Sequence, residues 1–328
     1  MKIFVSGADG MLGSHVVREL LVRKYTICAF IQPGRNTSTL DGLAIERVNG
    51  DISDYKQLKN AVAGCDGLIH IAAVTGVWPS KDPIFKKINV DGVENIINAA
   101  LTQNIKKIVH VGSASAFGYG SRDNPGTESS LFKSAKYGID YITTKKQGQD
   151  LVLEAVKTRG LPAVVACPTF MFGPYDSKPS SGAMLLAVAK KQLTGYSRGG
   201  RNWVAAADVA KGICNAFEKG RIGECYIMGN KNLSYKDAFA LIADATQVKQ
   251  PGMLVPDFLV KFIGLCGSIY SAFTGKKPKI SLPMARASCD GHYFSAAKAV
   301  AELDLPQTSL EIAIADTVSW FRENGYLE

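Results

Sequence analysis

Residues 2–24, KIFVSGADGMLGSHVVRELLVRK, decide the fold. A short apolar run, Lys2 to Ser6, stops at Gly7, and Gly10 and Gly13 follow at three-residue intervals before the helical stretch SHVVRELLVRK. The order is strand, glycine turn, helix. Such a turn needs glycine because its backbone angles are unusual, and because a dinucleotide pyrophosphate must approach the N–H groups at a helix N-terminus. The spacing is GxxGxxG rather than GxGxxG. A glycine loop without a ligand is the other reading, but a place at the first strand–helix junction favours binding.

Downstream, YTICAFIQ reads as a second parallel strand ending in Gln32-Pro33-Gly34-Arg35. An acidic residue at this strand end suits the ribose 2′-hydroxyl of NAD, whereas a basic one suits a 2′-phosphate. None of these four residues is acidic. Arg35 therefore reads either as a contact favouring NADP over NAD or as a solvated loop arginine. Apolar runs then alternate with helical patterns: AIERV, YKQLKNAVAG, GLIHIAA, FKKINVDGVENIINAAL, KKIVHVGSAS, the helix carrying YITTK, and PAVVACP. This alternation predicts crossover units in an α/β, Rossmann-type doubly wound parallel sheet with a smaller C-terminal lobe. The carboxyl ends of its strands, where ligands bind in such sheets, carry Gly7, Asp51, Ala72, Ala73, Ser113 and Pro168. Asp51 can serve the adenine amino group or cap the helix that follows.

In YITTK, Tyr141 and Lys145 stand four residues apart and share one helix face. A phenol titrating near ~10 needs a cation nearby to act in acid–base chemistry at neutral pH. Lys145 is placed to supply one. An ordinary tyrosine–lysine pair on a solvated helix is the alternative.

The 328 residues suffice for one large domain or two unequal lobes. Residues 1–174 are expected to form mainly the dinucleotide-binding unit and 175–328 mainly a substrate lobe, with a segment near 201–228 returning to the main sheet. With 46% hydrophobic and 20% charged residues and a formal charge of +9, the composition is that of a globular protein. The scattered basic residues do not point to nucleic acid. Seven dispersed cysteines without a CxxC pair fit reduced thiols, and four unclustered histidines offer no metal site. His70 and His110 read as satisfied polar groups at strand ends. A cytoplasmic location is expected, since no early stretch resembles a signal peptide. The apolar segment GMLVPDFLVKFIGLCGSIYSAF is interrupted by Pro256, Asp257 and Lys261 and reads as an amphipathic helix rather than a membrane span, with peripheral membrane contact as the lesser alternative. The closing stretch LEIAIADTVSWFRENGYLE reads as a packed helix with Trp320 and Phe321 as core anchors.

The glycine turn, DIS after the third strand, IAA after the fourth, VGSASAFG after the fifth, YxxxK, and CPTFMFGP after the sixth occur in order. With these the chain resembles the extended short-chain dehydrogenase/reductase family over nearly its whole length, and within it the dihydroflavonol-reductase-like branch. The resemblance implies a catalytic set of Ser113, Tyr141 and Lys145. It also implies cofactor contacts from Gly7, Gly10, Met11, Leu12, Gly13, Gln32, Arg35, Asp51, Ile52, Ala72, Ala73 and Pro168, besides Tyr141 and Lys145. Candidate substrate contacts are Val77, Trp78, Ser115, Phe117, Phe170, Tyr175 and Arg201. Asn89, in INVDGVENI, matches a helix asparagine with either a structural or a proton-relay role.

The expected activity is NADP-dependent reduction of a ketone or aldehyde, or the reverse, on a small molecule. Sugar-nucleotide members of the family carry an asparagine where this chain has Phe170, which cannot replace its hydrogen bond to a diphosphate. Arg201, seven residues before Asp208, points the other way, to an NAD-dependent nucleotide-sugar epimerase or dehydratase. A regulator without turnover is the third class, and retention of Ser113, Tyr141 and Lys145 argues against it. The family resemblance also implies a homodimer through paired helices.

Overall fold

The computed structural model describes residues 1–328. Its strands are β1 (Lys2–Ser6), β2 (Thr26–Ile31), β3 (Glu46–Asn49), β4 (Gly67–His70), β5 (Lys107–Val111), β6 (Ala163–Pro168), β7 (Phe170–Phe172), β8 (Gly195–Tyr196), β9 (Gly200–Ala205), β10 (Cys225–Met228), β11 (Lys231–Ser234), β12 (Met253–Leu254) and β13 (Gly291–His292). Seven of them form one parallel sheet in the order β10-β6-β5-β4-β1-β2-β3. The chain reverses its direction of travel between β1 and β4. This is a Rossmann-type α/β fold, and the crevice above β1 and β4 is its topological switch point.

Alternate residues of each buried strand feed opposite faces of the sheet. Ile3 and Val5 join a core with Leu12, Val16, Val17 and Leu20 of helix Met11–Val22 and Val209, Ile213 and Phe217 of helix Ala206–Lys219. Phe4 points the other way, into a core with Leu58, Ile96, Ile97 and Val152 from helices Tyr55–Val62, Gly92–Thr102 and Asp140–Arg159. A smaller sheet, β11-β9-β13 with β7 also on β9, packs under helices Gly182–Ala189, Tyr235–Thr246 and Leu310–Glu323 around the fully buried Trp203 and Phe321. Trp320 remains half-buried, stacked on Tyr326.

One element differs from the sequence reading. The stretch FKKINVDGVENIINAAL is not one α-helix, because residues Lys87–Asp91 form a π-helical turn between helices Pro83–Lys86 and Gly92–Thr102. The extra residue turns Asn89 inward, where its amide is fully bonded, and that offsets the weaker turn geometry. Pro256 divides the apolar segment as expected: β12 precedes it, and as N-cap it opens a continuous helix, Asp257–Thr274, whose only buried residues are Val260 and Gly264. By length and composition this helix is apolar enough to cross a membrane, with mean hydropathy 1.2.

Candidate active site

The glycine turn shows why each of its glycines is present. Gly7 has φ +71°, and a Cβ there would lie 2.7 Å from the Ala72 backbone nitrogen, so β1 and the loop after β4 touch main chain to main chain. A Cβ on Gly13 would lie 2.0 Å from the Gly7 carbonyl oxygen. Gly10 differs, since a Cβ would meet only that oxygen at 3.6 Å. Gly10 is also the N-cap of helix Met11–Val22, with no side-chain cap and no acidic residue in the first turn. The N–H groups of Met11, Leu12 and Gly13 find no acceptor in the protein. Free donors at the positive end of a helix dipole, beside a residue without a side chain, suit a diphosphate.

Ser6 ties the crevice floor together. Its hydroxyl accepts from the N–H groups of Ile71 and Ala72 at 3.2 and 3.3 Å and pairs with His70 Nδ1 at 2.7 Å. With two donors already on its oxygen, Ser6 donates to an unprotonated Nδ1. Burial, with Lys145 adding to it, lowers the His70 imidazole to about 3. His110 departs from the sequence reading, because it is buried with both ring nitrogens unpartnered.

After β2, Arg35 Nε donates to Gln32 Oε1 at 3.0 Å, and Gln32 donates weakly to Asp51 at 3.4 Å. Both Gln32 and Arg35 are exposed. Asp51 does not cap the next helix. That cap is Asp54, which accepts from the Gln57 N–H, while Asp51 accepts from the Ser53 N–H at 2.8 Å. Partial burial would raise the Asp51 carboxyl, but hydrogen bonds from Ser53 and Gln32 and the charge of Lys87 take it below its ordinary value. Ile52 is buried against Gly92.

The loop after β4, which carries Ala72 and Ala73, is clamped by Asn89. The Asn89 amide accepts from Val74 N–H at 2.9 Å and donates to the Val74 carbonyl at 3.0 Å and Thr144 Oγ1 at 3.1 Å. All three bonds serve structure, and they join the π turn, the crevice loop and the helix bearing Tyr141 and Lys145. The family resemblance points to Asn89 but not to its partners, which lie 15 and 55 residues away.

Ser113 sits at the end of β5, with its Oγ 2.8 Å from Ser115 Oγ and accepting from the Ser115 N–H. Tyr141 opens helix Asp140–Arg159, half-buried. Burial raises its phenol, opposed by the Ser113 hydroxyl and the charge of Arg201. Lys145 is buried and donates from Nζ to the Val111 carbonyl at 2.6 Å, and burial lowers it to about 8. The charge of Arg201 bears on the Tyr141 phenol, and Lys145 is held on β5 through the Val111 carbonyl.

The candidate substrate contacts separate into two groups. Val77 packs with Tyr141 against Tyr137, Ile139, Ile142 and Ala287, and Trp78 donates from Nε1 to Ser271 Oγ at 3.2 Å. Phe170 is half-buried on Trp203, with the Arg201 guanidinium 5.1 Å from its ring centroid and Arg201 Nε bonded to Tyr235. Pro168 closes β6 and is buried. Phe117 and Tyr175 are corrected. Phe117 is buried in the core beneath the sheet, because the 3-10 turn after Ser113 rotates it inward. Tyr175 meets the His15 and Trp320 rings edge-on, with Arg18 3.9 Å over its own ring, so it braces the first helix.

A polar network that sequence reading missed lies behind Tyr141. The Tyr119 and Tyr137 hydroxyls lie 2.6 Å apart and both lie within hydrogen-bond reach of Asp290 Oδ2, so that two protons serve three contacts, and Lys136 approaches the same carboxylate at 2.9 Å. Burial would raise the Asp290 carboxyl, yet these donors bring it down to about 2. Its members lie up to 171 residues apart, so no local pattern announces it.

Residues 3–229 match the NAD dependent epimerase/dehydratase family. A Synechocystis sp. protein provisionally named a dihydroflavonol 4-reductase is 30% identical over 99% of this chain and 96% of its own length. Sterol demethylase protein B of Methylococcus capsulatus is 29% identical over the full length of both. Among solved structures, that of gox2253 superposes with a TM-score of 0.88 at 30% identity, covering 99% of each chain.

Proposed function

The chain belongs to the NAD dependent epimerase/dehydratase family, whose members are NAD(P)-dependent oxidoreductases, epimerases and dehydratases, and from that premise we propose that it is an NADP-dependent carbonyl reductase, running in reverse as an alcohol dehydrogenase. The observation that carries this reading is Phe170. It lies under Arg201 and on Trp203, so an apolar aromatic stands where a diphosphate-binding site needs a hydrogen-bond donor. Val77 and Trp78 add to an apolar lining, which suits a hydrophobic ketone or aldehyde. Relatives named as reductases support the same class.

In this reading the turn N–H groups of Met11, Leu12 and Gly13 hold the dinucleotide diphosphate, and Arg35, steadied by Gln32, meets the 2′-phosphate. The bound nicotinamide supplies the hydride that goes to the carbonyl carbon. Ser113 donates a hydrogen bond to the carbonyl oxygen, and Tyr141 gives that oxygen its proton. Arg201 favours the tyrosinate left behind. Lys145 keeps its proton at neutral pH and has donors to spare beyond Val111, enough to hold a ribose hydroxyl.

The test is a titration of purified protein with NADPH and NADH, followed by a screen of carbonyl compounds. Tighter, exchangeable NADPH is expected, with Arg35→Ala weakening NADPH more than NADH. Tyr141→Phe is expected to abolish turnover and leave NADPH binding intact. NAD retained through gel filtration, with turnover of nucleotide sugars, would replace this reading with an epimerase or dehydratase. That second reading rests on Arg201, whose half-exposed guanidinium faces the same site.

A further inference from the structure

The exposed apolar surface of this chain is concentrated in one place. Ten of its eighteen exposed large hydrophobic side chains fall between Met253 and Phe273, among them Met253, Leu254, Phe258, Phe262, Ile269 and Phe273. Phe273 is 88% exposed and Phe258 74%. A contiguous outward-facing set of this kind marks a docking surface rather than ordinary surface hydrophobicity.

Around it the charge is of one sign. Lys249, Lys261, Lys276, Lys277 and Lys279 are all exposed, and none has a carboxylate partner within salt-bridge distance. The only acidic residue in the same stretch, Asp257, already faces Arg198 at 3.9 Å. A second copy of the chain docked face to face would set these lysines against each other. An anionic bilayer surface would instead take the aromatic and aliphatic side chains into its interface and the lysines onto its headgroups.

The helix cannot leave the domain to span a membrane without breaking its inner contacts. Val260 and Gly264 pack on Ala285 of helix Leu282–Ser288, a Cβ on Gly267 would strike the Ile280 carbonyl oxygen at 2.2 Å, and Ser268 Oγ accepts from the Leu282 N–H. One side is therefore bound to protein and the other is free, which is the arrangement of an interfacial helix. Its last turns also reach the active site. Ser271 accepts from Trp78, and Ala287 of the underlying helix packs in the cluster that Tyr141 and Val77 join.

We infer that helix Asp257–Thr274 seats the protein on an anionic lipid bilayer, with the mouth of the active site beside the seat, so that the carbonyl substrate is a lipophilic molecule drawn from the membrane. The substrate clause rests on the reductase reading above, whereas the docking clause does not.

Full-length protein is sedimented with extruded vesicles of phosphatidylcholine alone and of phosphatidylcholine mixed with phosphatidylglycerol. Binding to the anionic vesicles, weakened by added salt, is expected. Phe262→Asp combined with Phe273→Asp should lower it at least about tenfold, because two exposed aromatic anchors are replaced by charge. Both positions are exposed, so melting temperature and NADPH binding should stay at the wild-type values. Tyr141→Phe should sediment like the wild type, which separates docking from catalysis. A long-chain methyl ketone loaded into anionic vesicles should be reduced faster by the wild type than by the double variant, with equal rates on a short water-soluble ketone. Absence of vesicle binding, or binding unchanged in the double variant, would overturn the inference. So would a dimer that the double variant dissociates while neither protein binds vesicles. If no ketone is reduced but the anionic vesicles bind as expected, the reductase reading and the substrate clause fail and the docking surface stands.

Discussion

Replacing Gly10 with alanine separates the two tasks of the glycine turn. Gly10 has φ −81° and ψ 168°, extended backbone open to any residue, and the new methyl would meet only the Gly7 carbonyl oxygen at 3.6 Å. Fewer unfolded conformations would stabilise the fold by about 0.4–1 kcal/mol. Alanine is a poorer N-cap than glycine, at a cost of about the same size. The two offset, and the melting temperature should move by no more than a few degrees. The methyl would, however, stand beside the free N–H groups of Met11, Leu12 and Gly13, where the diphosphate must come close. Overpacking of that kind costs about 1–3 kcal/mol, which weakens NADPH about five- to 150-fold. Gly13→Ala is the control, because its Cβ would lie 2.0 Å from the Gly7 oxygen and 2.8 Å from Ala8 Cα, both of them backbone atoms. That variant should lose stability and cofactor together. Calorimetry for binding and thermal unfolding for stability read the two effects independently. If Gly10→Ala binds NADPH as tightly as the wild type, the diphosphate does not lie on this turn and the cofactor assignment is wrong.

Asn89→Ala removes three hydrogen bonds from a residue only 2% exposed and strands the Val74 N–H and carbonyl. A loss of about 2–4 kcal/mol is expected in urea unfolding, and a loss below about 0.5 kcal/mol would show that the clamp is replaced by water. Lys145 makes a pH prediction with a definite sign. Burial lowers its folded-state value from 10.5 to about 8, so between these limits the unfolded chain holds the proton that the folded chain has released. The contribution of this group to stability therefore rises with pH across that window, by about 3 kcal/mol in all. Below pH 8 the burial penalty is fully present. Unfolding of the wild type and Lys145→Met, compared at pH 7.5 and 10, should show this rise in the wild type only, and parallel curves would refute the burial of a charged lysine.

Much of this protein is local in its sequence. The run KIFVS, the glycines at 7, 10 and 13 and the helix that follows are set by neighbours in the chain, and the period-two and period-3.6 patterns after them announced the parallel sheet. Ser113 at a strand end, and Tyr141 and Lys145 one turn apart, were legible for the same reason, since a spacing along one helix is a spacing in space. Tertiary structure alone decided the rest. The π turn exists because Asn89 finds partners on a distant loop and helix. Phe117 and Tyr175 were drawn away from the substrate side by a 3-10 turn and by Arg18 and Trp320, none of which a local pattern contains. Outward placement of Phe258, Phe262 and Phe273 was likewise invisible in the chain. Hydropathy counts apolar residues, and only packing determines which of them the protein keeps and which it leaves to its surroundings.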